Sequence, residues 1–236
     1  MNASEYCSRV GLDLSPSVVE DGLSQLNRAL DEAKSASVPS TPNSLARLYE
    51  FKVPKLAPDG SCAAYDDFDD KPYDLGAVLG GRTFTSTTRL MTLDTLVSYL
   101  EQALCVGWVG VYQARQTENG AALVKLAYRG IPSRAEFPLT PEFAAKSNNA
   151  TVAMTGTASV INDLPKHLAS GGTYYECDPK VKAEACLPVI NTKGVIGLID
   201  AEHFVAGWFT RERLGLLVAL ALELPRLMPA GGVTIS

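Results

Sequence analysis

The stretch that decides the fold is YYECDPKVKAEACLPVINTKGVIGLIDAEHF, residues 174–204. It contains two strand-like runs, AEACLPVI (183–190) and GVIGLIDAEH (194–203), separated by a short polar turn, NTKG. Short apolar runs joined by turn residues are typical of antiparallel strands. The stretch therefore predicts two neighbouring strands of one sheet.

Acidic side chains interrupt both of these predicted strands. Alternate residues of a strand share a face, so Glu184 lies on the same face as Cys186, and Asp200 on the same face as Glu202. Carboxylates are costly to bury without partners, and their gathering points to a small-molecule site. The simpler alternative is that the acids are exposed near strand ends and that Cys186 is a buried, inert thiol.

Before and after this stretch, helices alternate with strand pairs. Strands are predicted at 107–115 and 121–130, joined by a hairpin turn at residues 118–120. Helices are predicted by apolar residues at helical spacing, at 87–104, at 140–156 (capped by Thr140, ended by Gly156) and at 209–228 (capped by Thr210). A short strand covers 158–163. The order predicts an α+β domain with a central antiparallel sheet and helices packed on one side.

The first strand of this pattern carries two aromatic residues on one face. Trp108, Gly110 and Tyr112 alternate along it, and the glycine leaves a gap that a ligand or another backbone can fill. Aromatic residues at this spacing are most often part of a core. The cage and the core interpretations both remain open at this stage.

The first 85 residues form an N-terminal extension to the predicted domain, which spans 86–230. The extension contains an amphipathic helix at 17–36, a break at SVPSTPNS (37–44) and a proline-rich, irregular surface segment at 52–81. The acidic run in that segment lacks the spacing of a calcium loop. Helix 17–36 is expected to pair with the C-terminal helix, either within the chain or across a possible homodimer.

Composition excludes several classes of protein. The net charge is -5 with no lysine or arginine run, which argues against nucleic acid as a partner. No apolar stretch reaches the roughly 20 residues of a membrane span, and no signal peptide is visible. The five scattered cysteines form no C-x-x-C pair. We expect a cytoplasmic protein with reduced thiols, without a metal or a cofactor.

Cys177 follows the glycine-containing segment SGGTYYE and is expected to be accessible. Its acidic neighbours disfavour a reactive thiolate, whereas Lys180 and Lys182 favour one. From these residues alone, the simplest interpretation is a free thiol without a role.

Residues 88–228 resemble a GAF domain, and within that family the free methionine-(R)-sulfoxide reductases. GWVGVY resembles the family's strand with tryptophan, glycine and tyrosine. CDPKVKAEACLPVI has its cysteine-aspartate pair, followed by a glutamate seven residues after the cysteine. GVIGLIDAEH resembles its acidic strand, with Glu202 in place of an aspartate, and FTRERLGLLVALA its last helix.

The resemblance implies a role for each matching residue. Cys177 would attack the sulfoxide sulfur, and Trp108 and Tyr112 would enclose the methyl-sulfoxide end of the substrate. The acids Glu184, Asp200 and Glu202 would hold the free ammonium group and supply a proton to the oxygen. The reductant would be an external thiol, and the ligand an amino acid or a similar small molecule.

Two departures from the family leave two functions open. The segments GIPSRAEFPL (130–139) and KSNNATVAMTG (146–156) lack the cysteines that the family usually carries there, so Cys186, Cys105 or a small thiol would have to resolve the sulfenic acid. The N-terminal extension also has no counterpart. The chain is thus predicted to be a reductase or, alternatively, a non-catalytic GAF sensor in signalling.

Overall fold

The computed structural model describes residues 1–35, 42–56, 67–175 and 178–235. The helices of this part are α1 (Ala3–Val10), α2 (Pro16–Ser35), α3 (Pro42–Tyr49), α4 (Leu75–Val78), α5 (Phe84–Leu104), α6 (Pro141–Ala144), α7 (Asn148–Thr155), α8 (Leu164–Ala169) and α9 (Arg211–Leu227). The strands are β1 (Glu50–Phe51), β2 (Tyr73–Asp74), β3 (Trp108–Thr117), β4 (Gly120–Arg129), β5 (Glu136–Pro138), β6 (Ser159–Ile161), β7 (Ala183–Ile190) and β8 (Val195–His203).

Six of the strands form one antiparallel sheet in the order β5-β4-β3-β8-β7-β6. Two hairpins, β3–β4 and β7–β8, supply its four central strands, as their turn residues predict. The strands join as neighbours because each hairpin needs only a short turn, whereas a parallel pair needs a long crossover. The predicted α+β class with a central antiparallel sheet is confirmed.

The two faces of the sheet have different neighbours. On the face of Val109, the paired residue Arg129 donates to Asp94 of α5 at 2.7 Å, and α9 packs along β7 and β8. The opposite face carries Trp108, Tyr112 and Asp200, and the short helix α7 lies over it. Long helices therefore cover one face, and the other face is left for the candidate site.

Helix α2 packs against α9 within the same chain, which is one of the two arrangements that the sequence left open; the homodimer stays a prediction. Two glycines allow the close approach. A Cβ atom on Gly22 would lie 2.9 Å from the carbonyl oxygen of Gly215, and one on Gly215 would lie 2.3 Å from a methyl group of Val18. The extension also adds Tyr6 to the main core, where its hydroxyl donates to a backbone carbonyl of β7.

Replacing Gly215 with alanine is expected to lower the free energy of unfolding by about 2 kcal/mol, because the added methyl group overpacks a tight helix contact. Urea unfolding of wild type and variant measures the difference. Ser24→Ala on the exposed face of α2 is the control, expected to change the value by about 0.5 kcal/mol or less. An unchanged Gly215→Ala protein would contradict the α2–α9 contact.

One helix prediction was wrong, and the prediction for segment 52–81 holds only in part. The single helix at 140–156 is two helices, because the backbone of Ser147 is extended and its side chain caps α7 by accepting from Ala150. The segment 52–81 was expected to be irregular and superficial. In its described residues, β2 pairs with β1, and Leu75 of α4 is fully buried. No helix in the described ranges has both the length and the apolar composition that a membrane span requires.

Candidate functional site

A narrow cavity, partly open to solvent, lies on the sheet face that α7 covers. Five residues predicted to bind substrate line it: Trp108, Tyr112, Glu184, Asp200 and Glu202. The sixth predicted residue, Cys177, lies outside the described residues. Tyr175 and Asp178, the nearest described residues on either side of it, both line the cavity.

The aromatic wall of the cavity is built on β3. The rings of Trp108 and Tyr112 are stacked, with centroids 6.2 Å apart and planes inclined by 28°. The gap above Gly110 is filled by the indole itself, since a Cβ atom there would lie 2.3 Å from the Trp108 ring. Both aromatic side chains therefore belong to the buried core and also line the cavity.

The carboxylates converge because cross-strand pairs share a face. Glu202 of β8 lies opposite both Trp108 of β3 and Glu184 of β7, and Asp200 lies opposite Gly110 and Cys186. One oxygen of each carboxylate lies within 4.8 Å of the others. Glu184 and Asp200 are each only 3% exposed, so water does little to screen their mutual repulsion.

Each carboxylate also has a polar partner. Asn149 of α7 donates to Asp200 at 2.9 Å, Asn148 donates to Glu184, and the Tyr174 hydroxyl donates to Glu202 at 3.0 Å. The second oxygen of Asp200 is buried without a hydrogen-bond partner in the described part of the chain. A buried acceptor of this kind is costly unless a ligand or a proton satisfies it. The cluster can therefore accept a cation, either an ammonium group or a metal ion.

Burial raises the pKa of the acids. The pKa of Glu184 is raised well above its ordinary value by burial and by the charges of Asp200 and Glu202. Burial raises the pKa of Asp200 from 3.8 to about 7, although the bond from Asn149 opposes the shift. At neutral pH the cluster therefore retains protons that it can donate to a ligand.

The described thiols differ in their surroundings. Cys186 is fully buried, and its thiol donates to the amide oxygen of Asn149 at 3.0 Å. Burial and the three acids raise the pKa of Cys186 well above its ordinary value, which disfavours the reactive thiolate. Cys105 is exposed at the end of α5. Of these two, Cys105 is the accessible thiol.

Several lining residues were missed by the sequence analysis. Asn148 and Asn149 escaped it because they were placed inside a continuous helix, where they would be unremarkable; the Ser-Asn-Asn sequence is in fact a helix start. Tyr174 and Asp178 lie in the stretch that predicts the two strands, but no pattern in the sequence assigned them a role. The remaining lining residues are Ile131, Ser133, Phe137, Ser147 and Tyr175.

Comparison with known proteins identifies the fold and the family. A model of the GAF domain family matches residues 88–224. The type II free methionine-R-sulfoxide reductase from Thermoplasma acidophilum aligns with a TM-score of 0.54 and 19% identity, covering 64% of this chain and 99% of that chain. At this identity the likeness shows the fold alone.

Two further solved structures have the same level of similarity. A free methionine-R-sulfoxide reductase from Neisseria meningitidis, solved with its substrate, gives a TM-score of 0.49 and 18% identity over 64% of this chain and 84% of that one. A putative GAF sensor protein from Burkholderia vietnamiensis gives a TM-score of 0.47 and 20% identity, covering 66% of this chain and 85% of that chain. No curated protein matches the chain.

Proposed function

Given that the chain belongs to the GAF domain family, we propose that it binds free methionine-(R)-sulfoxide in the cavity and reduces it with Cys177. The observation that supports this proposal most is the meeting of an aromatic wall with three acids in one cavity. The aromatic wall would bind the methyl-sulfoxide end of the substrate, and the three acids would bind its ammonium group.

The acids fit a primary ammonium group in number and position. An ammonium group attached to one carbon has three N–H donors, and three carboxylates lie close enough to one another to accept them. The free oxygen of Asp200 would gain its missing donor. A methionine inside a peptide has no such group, so the cluster would select the free amino acid.

The proposed reaction transfers one oxygen atom. The Cys177 thiolate attacks the sulfoxide sulfur, and a protonated acid of the cluster donates a proton to the oxygen. The bond that this attack forms between the two sulfur atoms breaks again as the protonated oxygen moves from the substrate sulfur to the Cys177 sulfur. The S–O bond of the substrate is thereby replaced by the S–O bond of a sulfenic acid on Cys177, and free methionine is released. The substrate sulfur is reduced by two electrons and the cysteine sulfur is oxidised by two. Two molecules of an external thiol then regenerate the cysteine, giving a disulfide and water.

The cysteine positions favour a second candidate function, a non-catalytic sensor of an amino-acid-like ligand. Segments 130–139 and 146–156 contain no cysteine, and Cys186 is held in a buried bond to Asn149. A protein that keeps the cavity without a resolving thiol would still bind the ligand. Binding without turnover would then be its activity.

One experiment separates the two functions. The purified protein is mixed with racemic free methionine sulfoxide and dithiothreitol, and the two epimers are quantified by chromatography over time. Selective loss of the R epimer is the expected result. Unchanged epimers combined with thermal stabilisation by methionine sulfoxide would favour the sensor. Neither turnover nor stabilisation would contradict both functions.

A further inference from the structure

A lysine is fully buried beside the cavity. Lys125 of β4 lies opposite Tyr112 in the sheet, and its side chain has no exposed surface. Its ammonium group donates to the backbone carbonyl of Ser133 at 2.7 Å and to the Ser133 hydroxyl at 3.0 Å. Since Ser133 lines the cavity, the lysine fixes one point of the cavity wall.

Aromatic rings enclose the same ammonium group. It lies 4.0 Å from the ring centre of Tyr128 and 5.0 Å from that of Phe51. Phe51 belongs to β1 of the N-terminal extension, where it also packs against Tyr73 of β2. A buried ammonium group is costly unless hydrogen bonds and aromatic faces replace water, and the extension supplies one of those faces.

The enclosure continues into the aromatic wall. Tyr128 stacks on Trp108, with centroids 6.2 Å apart and planes inclined by 22°. The Trp108 indole in turn donates to the carbonyl of Ile131 at 3.1 Å. Trp108 and Lys125 thus each hold the loop from Gly130 to Ser133 by a hydrogen bond, and both lie against the Tyr128 ring.

We infer that Phe51 and Lys125 are positioning residues for the cavity, so that the N-terminal extension completes the ligand site. Removing the Phe51 ring exposes the Lys125 ammonium group to water. Water then competes for the Lys125 N–H donors that hold Ser133, and the loop that contains Ile131 and Ser133 is held less firmly. The effect on ligand affinity rests on the proposed function, whereas the effect on the loop does not.

The test uses Phe51→Ala in the full-length chain, with Phe68→Ala as a matched control. Phe68 is a half-buried phenylalanine of the same extension, packed near Lys52 instead of Lys125. In Phe51→Ala, amide hydrogen exchange in residues 130–135 is expected to accelerate about tenfold, while β7 keeps its wild-type exchange. The KM for free methionine-(R)-sulfoxide is expected to rise about tenfold with kcat within about twofold.

Two further variants separate positioning from general destabilisation. Phe51→Tyr keeps an aromatic face, so its loop exchange and its KM are expected to match those of the wild-type protein. Lys125→Met is expected to accelerate amide exchange in the loop as Phe51→Ala does. Unchanged loop exchange in Phe51→Ala, or equal acceleration in Phe68→Ala, would overturn the inference whatever the ligand is. A wild-type protein that neither binds nor reduces the sulfoxide would overturn the proposed function, and the exchange experiment would still decide this inference.

Discussion

Replacing Asp200 with asparagine is expected to remove a loss of stability that the wild-type protein suffers as the pH rises from about 4 to 8. The folded protein holds the Asp200 proton up to a pKa of about 7, whereas an ordinary aspartate loses it near 3.8. In this interval the folded state binds more protons than the unfolded state, so its stability falls with rising pH. The shift corresponds to roughly 4 kcal/mol at pH 8.

Urea unfolding at pH 5 and pH 8 measures this contribution. We expect the difference in the free energy of unfolding between the two pH values to be smaller by about 2 to 3 kcal/mol in Asp200→Asn than in wild type, because the amide never ionises. Glu118→Gln in the exposed β3–β4 turn is the control for the loss of one negative charge, and it should keep the wild-type difference. If the free energy of unfolding differed between pH 5 and pH 8 by the same amount in all three proteins, Asp200 would not be buried as described.

The placement of the acids and aromatics follows from local rules. Period-two alternation puts Trp108 and Tyr112 on one face of β3, and Asp200 and Glu202 on one face of β8. Hairpin turns then make β7 and β8 neighbours. These local signals were sufficient to predict the two hairpins. The pairing of β3 with β8 is a long-range contact, and the binding roles of the five cavity residues were predicted from the resemblance to the GAF family.

The rest of the site depends on contacts between distant segments. Asn149 meets Asp200 across 51 residues, and Phe51 meets Lys125 through an extension whose irregular sequence has no periodicity to interpret. The break at Ser147 was missed because a serine is compatible with both a helix interior and a helix cap. Local patterns cannot choose between such alternatives, since tertiary packing decides them.

Replacing Cys177 with serine is expected to abolish reduction of methionine-(R)-sulfoxide, with a loss on the order of a thousandfold or more. A serine hydroxyl is not ionised at neutral pH and cannot accept the oxygen atom as a sulfenic acid. The described residues that line the cavity are other side chains, so binding should survive. Thermal stabilisation by methionine sulfoxide should therefore match that of the wild-type protein.

The matched control is Cys105→Ser, the same substitution at an exposed thiol. With dithiothreitol as reductant this variant is expected to keep wild-type turnover, because the small thiol reaches the sulfenic acid directly. Turnover that persists in Cys177→Ser would assign the attack to another group. Loss of both turnover and ligand stabilisation in that variant would instead mean that Cys177 shapes the cavity, and the oxygen transfer would then need a nucleophile that the proposal does not contain.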